Sequence, residues 1–236
     1  MSASTGHHSD PVERNVLSAQ VKDRILQQIL EGELAPGSRI VETRIARELG
    51  TSQAPVREAL RDLATLGLVD MEPYRGARVR RPTKVELVEA MEVRAELEAL
   101  AARQACSRVD DGVLADLRAL IDEMQRFADA GDTHAHALNN TEFHATVVRA
   151  SGNRTLERIW SMLEPYARTY VTAMAPGTDL TWLTQRHVGI VEALEARDPE
   201  RAGEAMRVHA REAQELILAM DESMFGKKTS GAEGDD

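Results

Sequence analysis

The apolar positions of the first eighty residues fall into three helical stretches and one alternating pair. Leu17, Val21, Ile25, Leu26, Ile29 and Leu30 recur at the spacing of an amphipathic helix. Gly32 and Pro36-Gly37 end that helix. Ile45, Ala46 and Leu49 predict a short helix over 42–49, with Gly50 as its C-terminal stop. Ser52 is a good N-cap, and Pro55 is tolerated in the first turn of the helix that follows. That helix runs to about Leu66, with Val56, Ala59, Leu60 and Leu63 on one face, and Gly67 stops it. The period then changes to two. Residues 68–71 and 77–80 alternate like short strands, and Pro73-Tyr74-Arg75-Gly76 between them reads as a turn.

From Thr83 onward the pattern is helical throughout. Thr83-Lys84-Val85-Glu86 is a capping box, which opens a long helix with Leu87, Met91, Arg94, Leu97 and Ala101 on one broad face. Further helices fit 111–130, 132–151, 153–175, 179–196 and 199–224. Asp198-Pro199 supplies a cap followed by proline at the first helical position. The breaks are expected at Gly112, Gly131, Gly152 and Pro176-Gly177. The expected fold is mainly α: three helices and a hairpin, then an antiparallel all-helical bundle of six or seven helices.

Composition agrees with that picture. Aromatic residues are only 3% of the 236, so the core must come from Leu, Ala, Val, Ile and Met, most of them good helix formers. The single cysteine, Cys106, excludes an intramolecular disulfide framework and a Cys-rich zinc finger. The polar start of the chain is no signal peptide, and no stretch reaches the apolar length of a membrane span, so a cytoplasmic protein without a membrane partner is expected.

Charge separates the two halves. The net charge of −10 taken alone argues against nucleic acid. Residues 13–82, however, carry 12 Arg and Lys against 10 Asp and Glu, while the remainder carries 17 against 29. A slightly basic first third joined to an acidic remainder predicts two domains with different partners. The expected division is a disordered tail over 1–12, a first domain over 13–82, a helical domain over 83–224 and a second tail over 225–236.

Helix, helix, helix and basic hairpin is the order of a winged helix-turn-helix. The helix after the Gly50 turn would lie in the DNA major groove. Its first residues, Ser52, Gln53 and Ala54, would meet base edges, where Gln can bond adenine through both amide atoms. Arg57 and Arg61 lie one turn apart and suit phosphate or guanine. Arg75 and Arg78 flank the hairpin tip, followed by Arg80 and Arg81. Any one of these arginines is as well read as a solvated charge. The ordered set is what points to duplex DNA.

Specific motifs carry a resemblance. Pro36-Gly37-Ser38-Arg39-Ile40, Ile45-Ala46-Arg47-Glu48-Leu49-Gly50, Pro55-Val56-Arg57-Glu58-Ala59-Leu60-Arg61-Asp62-Leu63, Gly67-Leu68-Val69 and Arg75-Gly76-Ala77-Arg78-Val79 resemble the DNA-binding domain of the GntR family of bacterial transcription regulators. The resemblance covers nearly all of 14–81. It implies that Arg57 contacts DNA and that Gly76 lets the wing approach the duplex. Gln53 stands where members commonly carry arginine, and Thr43 where some relatives place a DNA-contacting arginine, so the resemblance also implies a divergent operator.

The helical region holds an uneven set of polar residues. Asn140 and His144 are one turn apart on a helix whose Phe143 and Val147 suggest an inward face. His187 and His209 fall on two later amphipathic helices. Two readings stay open on the residues alone. The three imidazoles, with an oxygen donor, converge on a divalent first-row ion such as zinc, or they are unrelated histidines. His134 and His136, nearer a helix start, are expected to be solvated, and His7 and His8 have no expected role.

Residues 84–222 resemble the helical FCD effector domain of the FadR-like branch of the same family. The segments that carry this are Val93-Arg94-Ala95-Glu96-Leu97-Glu98, Asn140-Thr141-Glu142-Phe143-His144 with Ser151-Gly152-Asn153, Gln185-Arg186-His187 and Met206-Arg207-Val208-His209. The resemblance implies a metal held by Asn140, His144, His187 and His209, with zinc expected first and nickel or manganese as alternatives. It implies that Arg94 faces a cavity and holds the carboxylate of a small acid effector by two bonds. On this reading, loss of Arg94 spares the metal. The family implies a homodimer on an inverted-repeat operator, repression as the commoner outcome, and no enzymatic activity. Two rival readings are a purely structural metal with no effector, and a metal-dependent enzyme using Glu98 or Glu142 as general base.

Overall fold

A computed structural model describes residues 11–72, 76–173 and 179–226. The chain divides between Arg81 and Pro82 into two compact units.

The first unit begins with α1 (Pro11–Leu30), which packs on α3 (Gln53–Thr65). Val21, Ile25 and Ile29 of α1 and Ala59, Leu60 and Leu63 of α3 are buried. Each of these valine, leucine and isoleucine side chains is worth about 1.5–3 kcal/mol when fully taken from water. Between them lie β1 (Arg39–Ile40) and α2 (Glu42–Glu48). The α2–α3 turn is closed by Gly50, at φ +62°, with Thr51 N–H donating to Ala46 O at 2.9 Å. A left-handed residue there stops α2 and redirects the chain, the task that the sequence assigned to Gly50. Ser52 occupies the N-cap of α3, but its side chain makes no capping hydrogen bond.

The hairpin is β2 (Val69–Glu72) and β3 (Gly76–Val79), antiparallel, with Val69 opposite Val79 and Glu72 opposite Gly76. The sequence showed two strands and the structure has a third. β1 joins β3, Ile40 opposite Ala77, in the order β1-β3-β2. Two residues are too short a run to register as alternation. The tip residues Pro73, Tyr74 and Arg75 lie outside those described, so the expected turn and the expected role of Arg75 find no structural reading.

The second unit holds seven α-helices among its described residues: α4 (Lys84–Ala105), α5 (Asp111–Ala130), α6 (Thr133–Ala150), α7 (Arg154–Ala173), α8 (Leu180–Gln185), α9 (Val188–Glu195) and α10 (Pro199–Ala219). α4 lies along α10, and α6 packs against α4, α5 and α7. Leu117, Met124, Phe143, Val147, Ile190, Leu194 and Met206 form the core between them. The capping box at Thr83 is present: its hydroxyl accepts from Glu86 N–H, and Glu86 accepts from Thr83 N–H. Asp198 caps α10 with Pro199 in the first turn.

Four expectations change. Gly112 sits inside the first turn of α5, whose cap is Asp110. The stretch 179–196 is two helices, separated at Arg186–His187. The last helix stops at Ala219 because Met220 turns extended, and Lys84 Nζ donates to the freed carbonyls of Leu218 and Met220. Phe225, assigned to the tail from sequence, is buried against Leu87 and Ile217. Pro176-Gly177, the tail residues His7 and His8, and residues 227–236 lie outside the described residues.

Candidate DNA-binding face and histidine site

In the first unit, Gln53, Arg57, Arg61 and Gly76 line one shallow cleft with Arg39 and Thr43. The N-terminal turn of α3 is exposed at Ser52, Gln53 and Ala54 and buried at Pro55 and Val56, so the helix stands on its apolar side and offers its first polar residues outward. Arg57 is exposed and held by Glu42 of α2, its Nη2 2.8 Å and its Nε 3.1 Å from the same Glu42 oxygen. That hydrogen bond, with the carboxylate's charge, raises the guanidinium pKa further. Glu42 thus fixes the direction of Arg57, a role that sequence alone did not assign; its place at the start of α2, fifteen residues away, gives no local signal. Gly76 has φ +88°, and a Cβ there would lie 2.6 Å from Ile40 O. The local reason for glycine is therefore the close passage of β3 beside β1.

Arg78 is exposed and also carries contacts within the wing. It donates through Nε to Glu72 at 2.9 Å and through Nη1 to Gly37 O at 2.7 Å. Its position in the central strand of three, opposite Asp70 and Arg39, turns it to bracing the wing.

In the second unit, His144 (α6), His187 (at the α8–α9 corner) and His209 (α10) are all buried, and one ring nitrogen of each lies within 4.8 Å of the others. His144 Nε2 and His209 Nε2 are 3.2 Å apart. The break between α8 and α9 aims His187. Its N–H bonds Thr184 O, three residues back, and its Nδ1 faces Leu183 O and Thr184 O at 3.1 and 3.2 Å. Carbonyls only accept, so Nδ1 carries the proton and Nε2 is left with a lone pair. That Nε2 is buried without a hydrogen-bond partner. Phe143 packs edge-on against this ring, 4.6 Å between centroids. Burial, with His144 beside it, pushes His187 down to about 3, and burial with His187 and His144 holds His209 well below 6.5. Three buried imidazoles, with one ring nitrogen of each facing the others, form a donor set suited to a divalent first-row ion. Asn140 stands one turn before His144 and is half-buried.

Glu98 of α4, a candidate base on sequence, is 2% exposed. One of its oxygens accepts from Arg94 Nε at 2.6 Å and from Trp160 Nε1 at 2.7 Å, and the other lies 3.0 Å from His144 Nδ1. Burial opposes its charge, but Arg94, His144 and Trp160 together hold its carboxyl well below the usual carboxylate range. Arg94 is buried too, its guanidinium 5.2 Å from the Trp160 ring centroid. The other weighed base, Glu142, is exposed and paired with Arg149. His136, expected to be solvated, is 1% exposed, because α8 covers the start of α6 and sets Thr184 Oγ1 2.9 Å from its Nε2. His134 is half-buried.

Residues 17–79 match the bacterial regulatory proteins of the gntR family, and residues 89–212, more than half the chain, match the FCD domain. The chain belongs to the GntR family of bacterial regulatory proteins. Across 83% of its length it is 38% identical to a probable D-xylose utilization operon transcriptional repressor of Paenarthrobacter nicotinovorans, covering 86% of that protein. It is 24% identical to the gluconate operon transcriptional repressor of Bacillus subtilis, over 88% of each chain. The solved structure of McbR/YncC from E. coli shares its fold, with a TM-score of 0.77 over 86% of this chain and 97% of that one, at 24% identity. This GntR-family chain is therefore a DNA-binding transcriptional regulator, and the enzyme reading falls away, since its relatives are regulators. Among the described residues, no helix is long and apolar enough to cross a membrane.

Proposed function

We propose that this GntR-family regulator is a repressor that binds an inverted-repeat operator as a homodimer and is released or retained by a small carboxylate held, with a divalent metal, inside the helical unit. The observation that carries the reading is the convergence of His144, His187 and His209, with an unpartnered buried Nε2 on His187. These three residues, with Asn140 as a candidate fourth ligand, would hold zinc, or nickel or manganese. A bound ion of this kind would present open coordination positions to the oxygens of an acid. Arg94 supplies the neighbouring positive charge. Relatives named as repressors of the gluconate and galactonate operons support a sugar acid as the effector class and repression as the sign. Acid and DNA must then alter each other's affinity reciprocally.

Metal content by plasma mass spectrometry on the purified protein and on His144→Ala, His187→Ala and His209→Ala tests the site. The reading predicts stoichiometric metal in the parent and loss in each variant. Equal metal content in all four would return the histidines to ordinary buried residues. Light scattering at micromolar concentration is expected to give a dimer, and a monomer that still binds the operator specifically would contradict the assembly.

A further inference from the structure

We propose that Arg94 and Trp160 act on the histidine cluster through Glu98, and that this chain of contacts fixes the tautomer and orientation of His144. All three are positioning residues.

The geometry is a three-helix bracket. Glu98 on α4 is the hub. Its first oxygen is occupied by two donors, Arg94 Nε from one turn earlier on α4 and Trp160 Nε1 from α7. The second oxygen is thereby presented to His144 on α6, 3.0 Å from Nδ1. The contact is close but not aligned as a finished hydrogen bond; an ionised carboxylate only accepts, so its charge favours the proton on the facing Nδ1 and leaves the lone pair on Nε2. That is the nitrogen turned toward His209, 3.2 Å away. A carboxylate behind a ligating histidine sets ring orientation and raises basicity at the other nitrogen. Arg94 is clamped twice, by its bond to Glu98 and by the Trp160 ring 5.2 Å from its guanidinium. Every member of the bracket is at least nine-tenths buried, so water does not compete for these bonds.

Arg94 therefore has a task besides the acid-binding one implied by family resemblance. Without it, Glu98 loses its charge partner and one of the two donors that hold its rotamer. Loss of Arg94 is then expected to weaken the metal, not to spare it. The affinity part of this inference rests on the metal reading above; the tautomer part does not.

The test uses the full chain as parent, Glu98→Gln, Arg94→Ala and Trp160→Phe, with circular dichroism melts to identify the folded variants. Nitrogen-15 imidazole spectra of the metal-free proteins report the tautomer of His144, and competition of zinc against a chromophoric chelator reports affinity. The parent is expected to show Nδ1-protonated His144. Glu98→Gln and Arg94→Ala are expected to lose that single tautomer and to bind zinc about tenfold to a hundredfold more weakly. Trp160→Phe, which keeps the ring over Arg94 but removes one donor, is expected to show the same change to a smaller degree, and it carries the test if a charged-residue variant fails to fold. The parent's tautomer and zinc affinity persisting in every folded variant would overturn the inference. A parent that takes up no zinc overturns the metal reading, while a His144 tautomer that still depends on Glu98 supports the bracket.

Discussion

Arg57 is the residue on which DNA affinity should turn most. It is exposed, aimed by Glu42 and set in the same cleft as Gln53 and Arg61. Arg57→Ala is expected to cost about 1–3 kcal/mol per half-site in operator binding while the melting temperature holds. Fluorescence anisotropy with a labelled operator checks it, and normal binding at physiological salt would contradict the placement of α3. Gly76→Ala should act on the fold instead. The left-handed φ and the 2.6 Å approach to Ile40 O predict a loss of about 1–3 kcal/mol in the first unit, read from chemical denaturation. Positions were legible in the sequence where a local motif carried them: Arg57 falls on the exposed side of α3, Gly76 at the left-handed start of β3, and Asn140 and His144 one turn apart on α6. Contacts were not legible where a distant element decided them. Arg78 meets Glu72 and Gly37 through sheet register, His136 meets Thr184 of α8, and Glu98 finds Trp160 sixty-two residues away.

At the scale of elements, the helical period located the middle helices closely, but α1 starts at Pro11, inside the expected tail, and α10 ends at Ala219, short of the expected 224. It did not reveal the break between α8 and α9, because Leu183, Ile190, Val191 and Leu194 keep an apolar face across it. The break matters because it turns His187 inward, with its Nδ1 spent on the α8 carbonyls. It also fixes a pH response. In the metal-free protein, His187 and His209 stay neutral far below 6.5, whereas the unfolded chain protonates both near 6.5. The unfolded state then binds more protons, so stability rises with pH across this window and is lost as pH falls from 6.5 toward about 3. Glu98, ionised at lower pH than a free carboxylate, adds a loss in the same direction below 4.5. Thermal melts of chelator-treated protein should therefore fall between about pH 7 and pH 5, before most carboxylates titrate. His187→Leu, which removes one of the three histidines whose pKa burial lowers, His136 being the third, should flatten that decline, and an unchanged profile in His187→Leu would count against neutral burial of this histidine.

At the scale of the whole molecule, a chain of net charge −10 binds a polyanion because residues 13–82 carry a slight basic excess, 12 Arg and Lys against 10 Asp and Glu, while the acidic excess lies in the remainder. Operator affinity should thus fall steeply with salt in proportion to the phosphates contacted, as a log–log titration would show. The central claim is that a metal-held acid in the helical unit governs that affinity. The most direct measurement is operator binding by the zinc-loaded protein, titrated with gluconate and galactonate as probes of the sugar-acid class, beside the same titration of His187→Ala. The account predicts that one of these acids, or a close analogue in a sugar-acid panel, shifts the affinity of the parent, with the shift lost in His187→Ala although bare DNA binding remains. An equal shift in the two proteins, or a parent whose operator affinity no acid in the panel moves, would contradict it.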